Sequence, residues 1–76
     1  MEIEVIEDVL LSLLIYNVDN KGAWISCNLL KMRVGCSDEE FDNILEHLKK
    51  EKYIEFRDDE HLKITKKGID FITSRV

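Results

Sequence analysis

The chain has no proline and only three glycines among its 76 residues. Linkers and disordered segments are usually rich in one of these residues, so their scarcity, together with 45% apolar residues, predicts a compact and mostly helical domain. A chain of this length has room for one hydrophobic core. We therefore expect residues 1–76 to form a single domain.

Long apolar runs are missing as well. The longest uncharged run extends from Val9 to Val18 and is much shorter than the roughly 20 apolar residues that span a bilayer. Acids at Glu2, Glu4 and Glu7 stand where a signal peptide carries basic residues. These features predict a cytoplasmic chain that has no membrane partner.

Cysteine and histidine are too few for an evident metal or catalytic site. Cys27 and Cys36 have no second pair and no nearby histidines, which favours buried, unbridged thiols over the alternatives of a disulfide or a redox switch. His47 and His61 lie far apart in the sequence, and both fall on predicted surface positions. We therefore expect no enzymatic activity, no metal site and no cofactor.

Periodicity and capping residues predict an α+β fold. Ser26, Ser37 and Thr65 are suitable helix N-caps, and Gly35 suits the residue that follows a helix. Alternating runs on both sides of an acidic turn predict a β-hairpin. The predicted elements are a helix from Ile3 to about Val18, a strand at Ala23–Ile25, a helix from Cys27 to about Val34, a helix from Ser37 to about Lys52, a hairpin from Tyr53 to Thr65 and a last helix from Lys66.

This order of elements resembles the winged helix-turn-helix superfamily, especially small archaeal and MarR-like transcription regulators. The residues most similar to that family are Ile44-Leu45-Glu46-His47-Leu48-Lys49-Lys50-Glu51-Lys52-Tyr53-Ile54 and Leu62-Lys63-Ile64-Thr65-Lys66-Lys67-Gly68. The resemblance implies a three-helix core, a short strand, a two-stranded wing and a C-terminal helix. It also implies DNA binding, with the third helix in the major groove and the wing near the backbone or minor groove.

The charge pattern does not match that of a typical DNA-binding winged helix. The outward face of the predicted third helix has three acidic side chains and only one lysine. The predicted wing tip is also acidic, since it consists of Asp58, Asp59 and Glu60. Three consecutive side chains of one turn do not converge on a metal ion, so we interpret the tip as a solvated turn. The candidate DNA contacts are basic residues outside the acidic wing tip, together with two other polar residues of the third helix. They are Lys31, Arg33, Asn43, His47, Lys49, Lys50, Lys63, Lys66 and Lys67.

The predicted terminal helices have more apolar residues than one core needs. Ile3, Ile6, Val9, Leu10 and Leu13 define an inward stripe of the first helix, and the remaining apolar residues form a flank that predicts a homodimer. The candidate interface residues are Leu11, Ile15, Val18, Ile69, Phe71 and Ile72. Trp24 is expected to seal the edge of the core, and a partner contact is the alternative.

Two functions remain open at this stage. The first is a homodimeric DNA-binding module of the transcription-regulator type, which follows from the family resemblance. The alternative is a protein-interaction module that does not bind DNA and whose acidic third helix and wing face a basic partner protein. The sign of the charge over the third helix and wing distinguishes the two.

Overall fold

The computed structural model describes residues 3–75, which form an α+β arrangement of helices around one small sheet. The antiparallel sheet has the strand order β1-β3-β2. The elements are α1 (Ile3–Asp19), β1 (Ile25–Ser26), α2 (Cys27–Val34), α3 (Asp38–Lys50), β2 (Ile54–Asp58), β3 (His61–Ile64) and α4 (Lys66–Thr73).

The three predicted N-caps are confirmed. The hydroxyl oxygens of Ser26, Ser37 and Thr65 each accept a hydrogen bond from the backbone N–H three residues later, at 3.1, 3.2 and 3.1 Å. Each bond satisfies one of the N–H groups that the first turn of a helix leaves free. Gly35 ends α2 with a φ of 74°, a left-handed conformation that glycine adopts without strain.

α3 ends two residues earlier than predicted, at Lys50. The reason is a closing turn in which the Tyr53 N–H donates to the Leu48 carbonyl at 3.0 Å, while Lys52 adopts a φ of 64°. This is the Schellman arrangement, in which the left-handed residue is usually glycine. The chain therefore reverses sharply at Lys52 and enters β2.

β1 begins two residues later than predicted. The Ala23 N–H still bonds to the Asn20 carbonyl at 3.1 Å, so this residue belongs to the turn after α1. β1 pairs with the middle strand, where Ile25 faces Leu62. The β2–β3 hairpin is confirmed, with a bulge between Phe56 and Asp58.

The core draws on every helix and strand. Its fully buried members include Val9, Leu10, Ile25, Leu30, Ile44, Leu48, Leu62 and Ile72. Two sequence predictions need correction: Ile3 was placed on the inward stripe but is 46% exposed, and Ile72 was placed at a dimer interface but is buried in the chain's own core. Ile3 lies at the start of α1, whereas Ile72 lies on the inward face of α4.

α1 is 17 residues long and buries one stripe, which consists of Ile6, Val9, Leu10 and Leu13. Further along the helix, Ile15 and Val18 remain exposed, as the sequence predicted. Within residues 3–75, no helix combines the length and the apolar character needed to cross a membrane.

Candidate functional site

An open cleft of about 550 Å³ lies between α2, α3 and the β2–β3 hairpin. Phe41, Leu45 and Phe56 provide its apolar lining, and Phe56 is only half-buried. Four carboxylates surround these side chains, those of Asp38, Asp42, Glu46 and Asp59. We call this site, with its lining residues, the acidic cleft.

Three of the four carboxylates come from one stripe of α3. Asp38, Asp42 and Glu46 are spaced four residues apart, so they lie above one another on the same helix face. Asp38 is in the first turn, where the helix dipole favours a negative charge. Further along, the like charges of Asp42 and Glu46 repel each other. This pair therefore destabilises the helix slightly.

The two lysines that line the cleft are already held by the chain. Lys31 forms an ion pair with Asp38 across the turn between α2 and α3. The Lys49 ammonium lies 5.6 Å from the centre of the Phe56 ring, within the range of a cation–π interaction. Within residues 3–75, no ion pair neutralises Asp42 or Glu46.

The hairpin tip is fixed beside the start of α2. Asp58 accepts hydrogen bonds from the His61 ring at 2.9 Å and from the Glu60 N–H at 2.8 Å, and these bonds lower the Asp58 pKa to about 2. The Glu60 carbonyl in turn accepts from the Cys27 N–H at 2.8 Å. His61, predicted to be on the surface, is half-buried, and it pairs with Ser26 across the sheet.

The pKa of the Cys27 thiol depends on the charges around the cleft. Burial raises the Cys27 pKa, and the carboxylates of Asp58, Glu60 and Asp42 raise it further. Both Cys27 and Cys36 are free thiols, which confirms the absence of a disulfide between them. Their predicted burial is wrong, since both are only half-buried.

A second charged surface lies at the C-terminal end of α3. Lys50 and Lys52 at the end of the helix and Lys66 and Lys67 at the start of α4 are all exposed. Thr65 joins the two segments, since its hydroxyl donates to the Lys52 carbonyl at 2.7 Å. We call these four lysines the basic corner.

The remaining predicted DNA contacts are scattered. The Arg33 guanidinium lies 5.5 Å from the centre of the Tyr16 ring, away from α3. The Lys63 ammonium lies 4.7 Å from the centre of the Trp24 ring and 3.9 Å from a Glu55 carboxylate oxygen. Arg33 and Lys63 therefore do not lie together with the lysines of the basic corner.

Asn43 and His47 lie where the sequence predicted, on the exposed outer face of α3. They share a shallow groove with Glu39, Glu40 and Glu46, so acids predominate there as well. Nucleic-acid phosphate would be repelled by this face.

The residues predicted at a dimer interface fall into three groups. Ile15 and Val18 are exposed, and Ile72 is buried. The others, Leu11, Ile69 and Phe71, are half-buried against the core. The Phe71 ring stacks on Tyr53, with 4.6 Å between ring centres. One face of the ring is therefore covered by the chain itself and not by a partner.

The sequence pointed to the acidic third helix and wing as a surface for a basic partner, but it did not reveal the cleft between them. The spacing of Asp38, Asp42 and Glu46 was a usable signal, but the positions of Phe56 and Asp59 opposite α3 depend on long-range packing. Among residues 3–75, no group of three or more histidine, cysteine or acidic side chains is arranged to hold a metal ion.

Comparisons with protein-family models, with curated proteins and with solved structures found no match for this chain.

Proposed function

We propose that this chain is a winged-helix protein-interaction module whose acidic cleft binds a basic segment of a partner protein. In this proposal α2 and α3 are the helix-turn-helix and β2–β3 is the wing. The arrangement of four helices and a three-stranded antiparallel sheet in residues 3–75 is compatible with this family.

The observation that carries the proposal is the charge of the cleft. Carboxylates of Asp42, Glu46 and Asp59 surround a half-buried aromatic ring and outnumber the charge of Lys49, since Lys31 is already paired with Asp38. A phosphate backbone entering this cleft would meet like charge, whereas lysine or arginine side chains would meet opposite charge. The apolar lining adds contacts for the methylene groups of such side chains.

Binding of two probes at low salt tests the proposal. A capped octapeptide that alternates arginine with glycine should bind, and its affinity should fall as salt rises through about 50 to 200 mM. The double substitution Asp42→Lys with Glu46→Lys should abolish this binding. A matched control is Asp8→Lys with Asp70→Lys, which makes the same change in net charge at exposed positions outside the cleft.

Equal loss in both double variants would show that only net charge matters and would refute a role for the cleft. The absence of peptide binding to the unmodified protein at low salt would reject the interaction proposal altogether. Isothermal titration calorimetry measures both outcomes directly.

Duplex DNA is the second candidate ligand, and the basic corner is the observation that favours it. Four exposed lysines on two joined segments could contact phosphates, and of these Lys50 borders the acidic outer face of α3. If DNA binds there, Lys50→Glu with Lys66→Glu should abolish binding of a mixed-sequence duplex at about 50 mM salt. Unchanged duplex binding in this variant would exclude the corner.

We also propose that the chain forms a homodimer through the exposed flank of α1. Ile15 and Val18 are 54% and 67% exposed and lie about one turn apart on α1, so together they form an apolar patch that a partner can cover. Ile15→Glu with Val18→Glu should therefore yield a folded monomer, while Met32→Glu on α2 serves as a control. Sedimentation that shows the unmodified protein to be monomeric at tens of micromolar, on the order expected for an ordinary interface, would refute the dimer.

A further inference from the structure

The Phe56 ring is the accessible aromatic surface of the acidic cleft. Phe56 lies on β2 with its side chain on the same sheet face as Leu62, its partner on β3. Leu62 is fully buried, whereas Phe56 is half-buried, since the ring lies at the edge of the core and lines the cleft. One face of an aromatic ring therefore borders a cleft in which carboxylates predominate.

This ring face already holds a cation that belongs to the chain. Lys49 follows Glu46 by one helical turn, and its ammonium lies over Phe56 at 5.6 Å from the ring centre. Lys49 itself is exposed, so the interaction is of the weak, solvent-accessible kind. An external cation that binds more favourably can displace it.

Arginine has the chemistry to do so. A guanidinium group stacks flat on an aromatic ring and donates hydrogen bonds from its edge, whereas an ammonium group attracts only as a compact charge. At this position the edge of the guanidinium would face the carboxylates of α3, where Asp42 and Glu46 line the same cleft. Charged hydrogen bonds of this type are among the strongest that a side chain makes.

We infer that an arginine of the partner protein stacks on Phe56 in the acidic cleft and that Lys49 is its intramolecular competitor. This inference rests on the proposed function, because it specifies which side chain the cleft recognises. Lys49 then lowers the affinity for every basic partner and selects arginine over lysine, since only arginine gains the stacked contact.

Calorimetry with the arginine–glycine octapeptide at low salt tests the competition. Lys49→Met and Lys50→Met each remove one positive charge from neighbouring exposed positions, but only Lys49 lies over the ring. Lys49→Met should tighten peptide binding about two- to fivefold more than Lys50→Met, the range expected for loss of an exposed cation–π contact. In a Phe56→Leu background this difference should disappear. With the Phe56 ring present, the lysine–glycine octapeptide should bind more weakly than the arginine peptide.

Equal tightening by Lys49→Met and Lys50→Met would overturn the competitor role while leaving the proposed function intact. Persistence of the difference without the Phe56 ring would overturn the stacked site in the same way. If neither the unmodified protein nor any variant binds either peptide, the proposed function itself is wrong. Intermolecular nuclear Overhauser effects between the Phe56 ring and the arginine methylenes are the expected direct signature.

Discussion

The basic corner lies at the C-terminal end of α3, whereas the acidic cleft runs along one side of the helix from Asp38 to Lys49, and the two depend on different kinds of contact. The corner is held by close local contacts: the Thr65 hydroxyl donates to the Lys52 carbonyl, and Gly68 packs against the Tyr53 carbonyl and the Ile64 side chain. The carboxylates of the cleft are exposed side chains, and the helix and hairpin that carry them are stabilised by the hydrophobic core. Changes at Thr65 and Gly68, which hold the corner, should therefore reduce stability, and changes at the carboxylates of the cleft should alter binding.

The largest effect is expected from Gly68→Ala. An added Cβ would lie in severe conflict with the Tyr53 carbonyl oxygen and only 2.8 Å from Ile64 Cγ1. Since a backbone atom cannot rotate away, we expect a loss of about 3 kcal/mol in the free energy of unfolding. Urea denaturation measures it, and a loss below about 0.5 kcal/mol, typical of a neutral surface change, would show that the corner is not closely packed.

Thr65→Val should have a smaller effect at the same junction. The threonine hydroxyl donates to the Lys52 carbonyl at 2.7 Å and accepts from the Gly68 N–H at 3.1 Å, whereas valine keeps the shape but makes neither bond. Loss of a helix cap with its partner costs about 1 to 2 kcal/mol. Thr73→Val is a suitable control, since that hydroxyl bonds only within α4.

In the cleft, Asp42→Lys with Glu46→Lys should change stability little. Both side chains are exposed, so the free energy of unfolding should change by no more than about 0.5 kcal/mol even though peptide binding is abolished. Thermal denaturation of the variant beside the unmodified protein checks this. A loss of several kcal/mol would mean that the carboxylates are structural, and the contrast with the corner would fail.

The smallest effect concerns Asp58 and is confined to acid. Its pKa in the folded protein is about 2, below the ordinary 3.8, because the His61 ring and the Glu60 N–H bond to the carboxylate. A lowered pKa stabilises the folded state above pH 3.8, and this stabilisation is lost as the pH falls through about 2. His61→Phe should raise the Asp58 pKa, which carbon NMR of the carboxyl group detects.

Local signals in the sequence were sufficient for most of the fold. Ser26, Ser37 and Thr65 act through their own neighbours, so the helix starts were predictable. The left-handed Lys52 was not, because a residue other than glycine takes that conformation only when the surrounding contacts impose it.

The sites were harder to predict than the elements. The charges of Asp42 and Glu46 were visible, but charge does not reveal which lysines the chain has already engaged. The contact of Lys49 with Phe56 joins a helix to a strand, and no local spacing encodes it. Ile72 was misplaced for a similar reason, since its burial depends on how α4 docks against the other elements.

The hydrogen bond from the Cys27 N–H to the Glu60 carbonyl has a consequence for the order of folding. It joins the start of α2 to a hairpin that is synthesised much later, and α2, with eight residues, is shorter than the roughly 12 that an isolated helix needs in water. We expect α2 to form after the hairpin has closed. Leu30→Ala, at a fully buried position of α2, should then accelerate unfolding and leave the folding rate nearly unchanged.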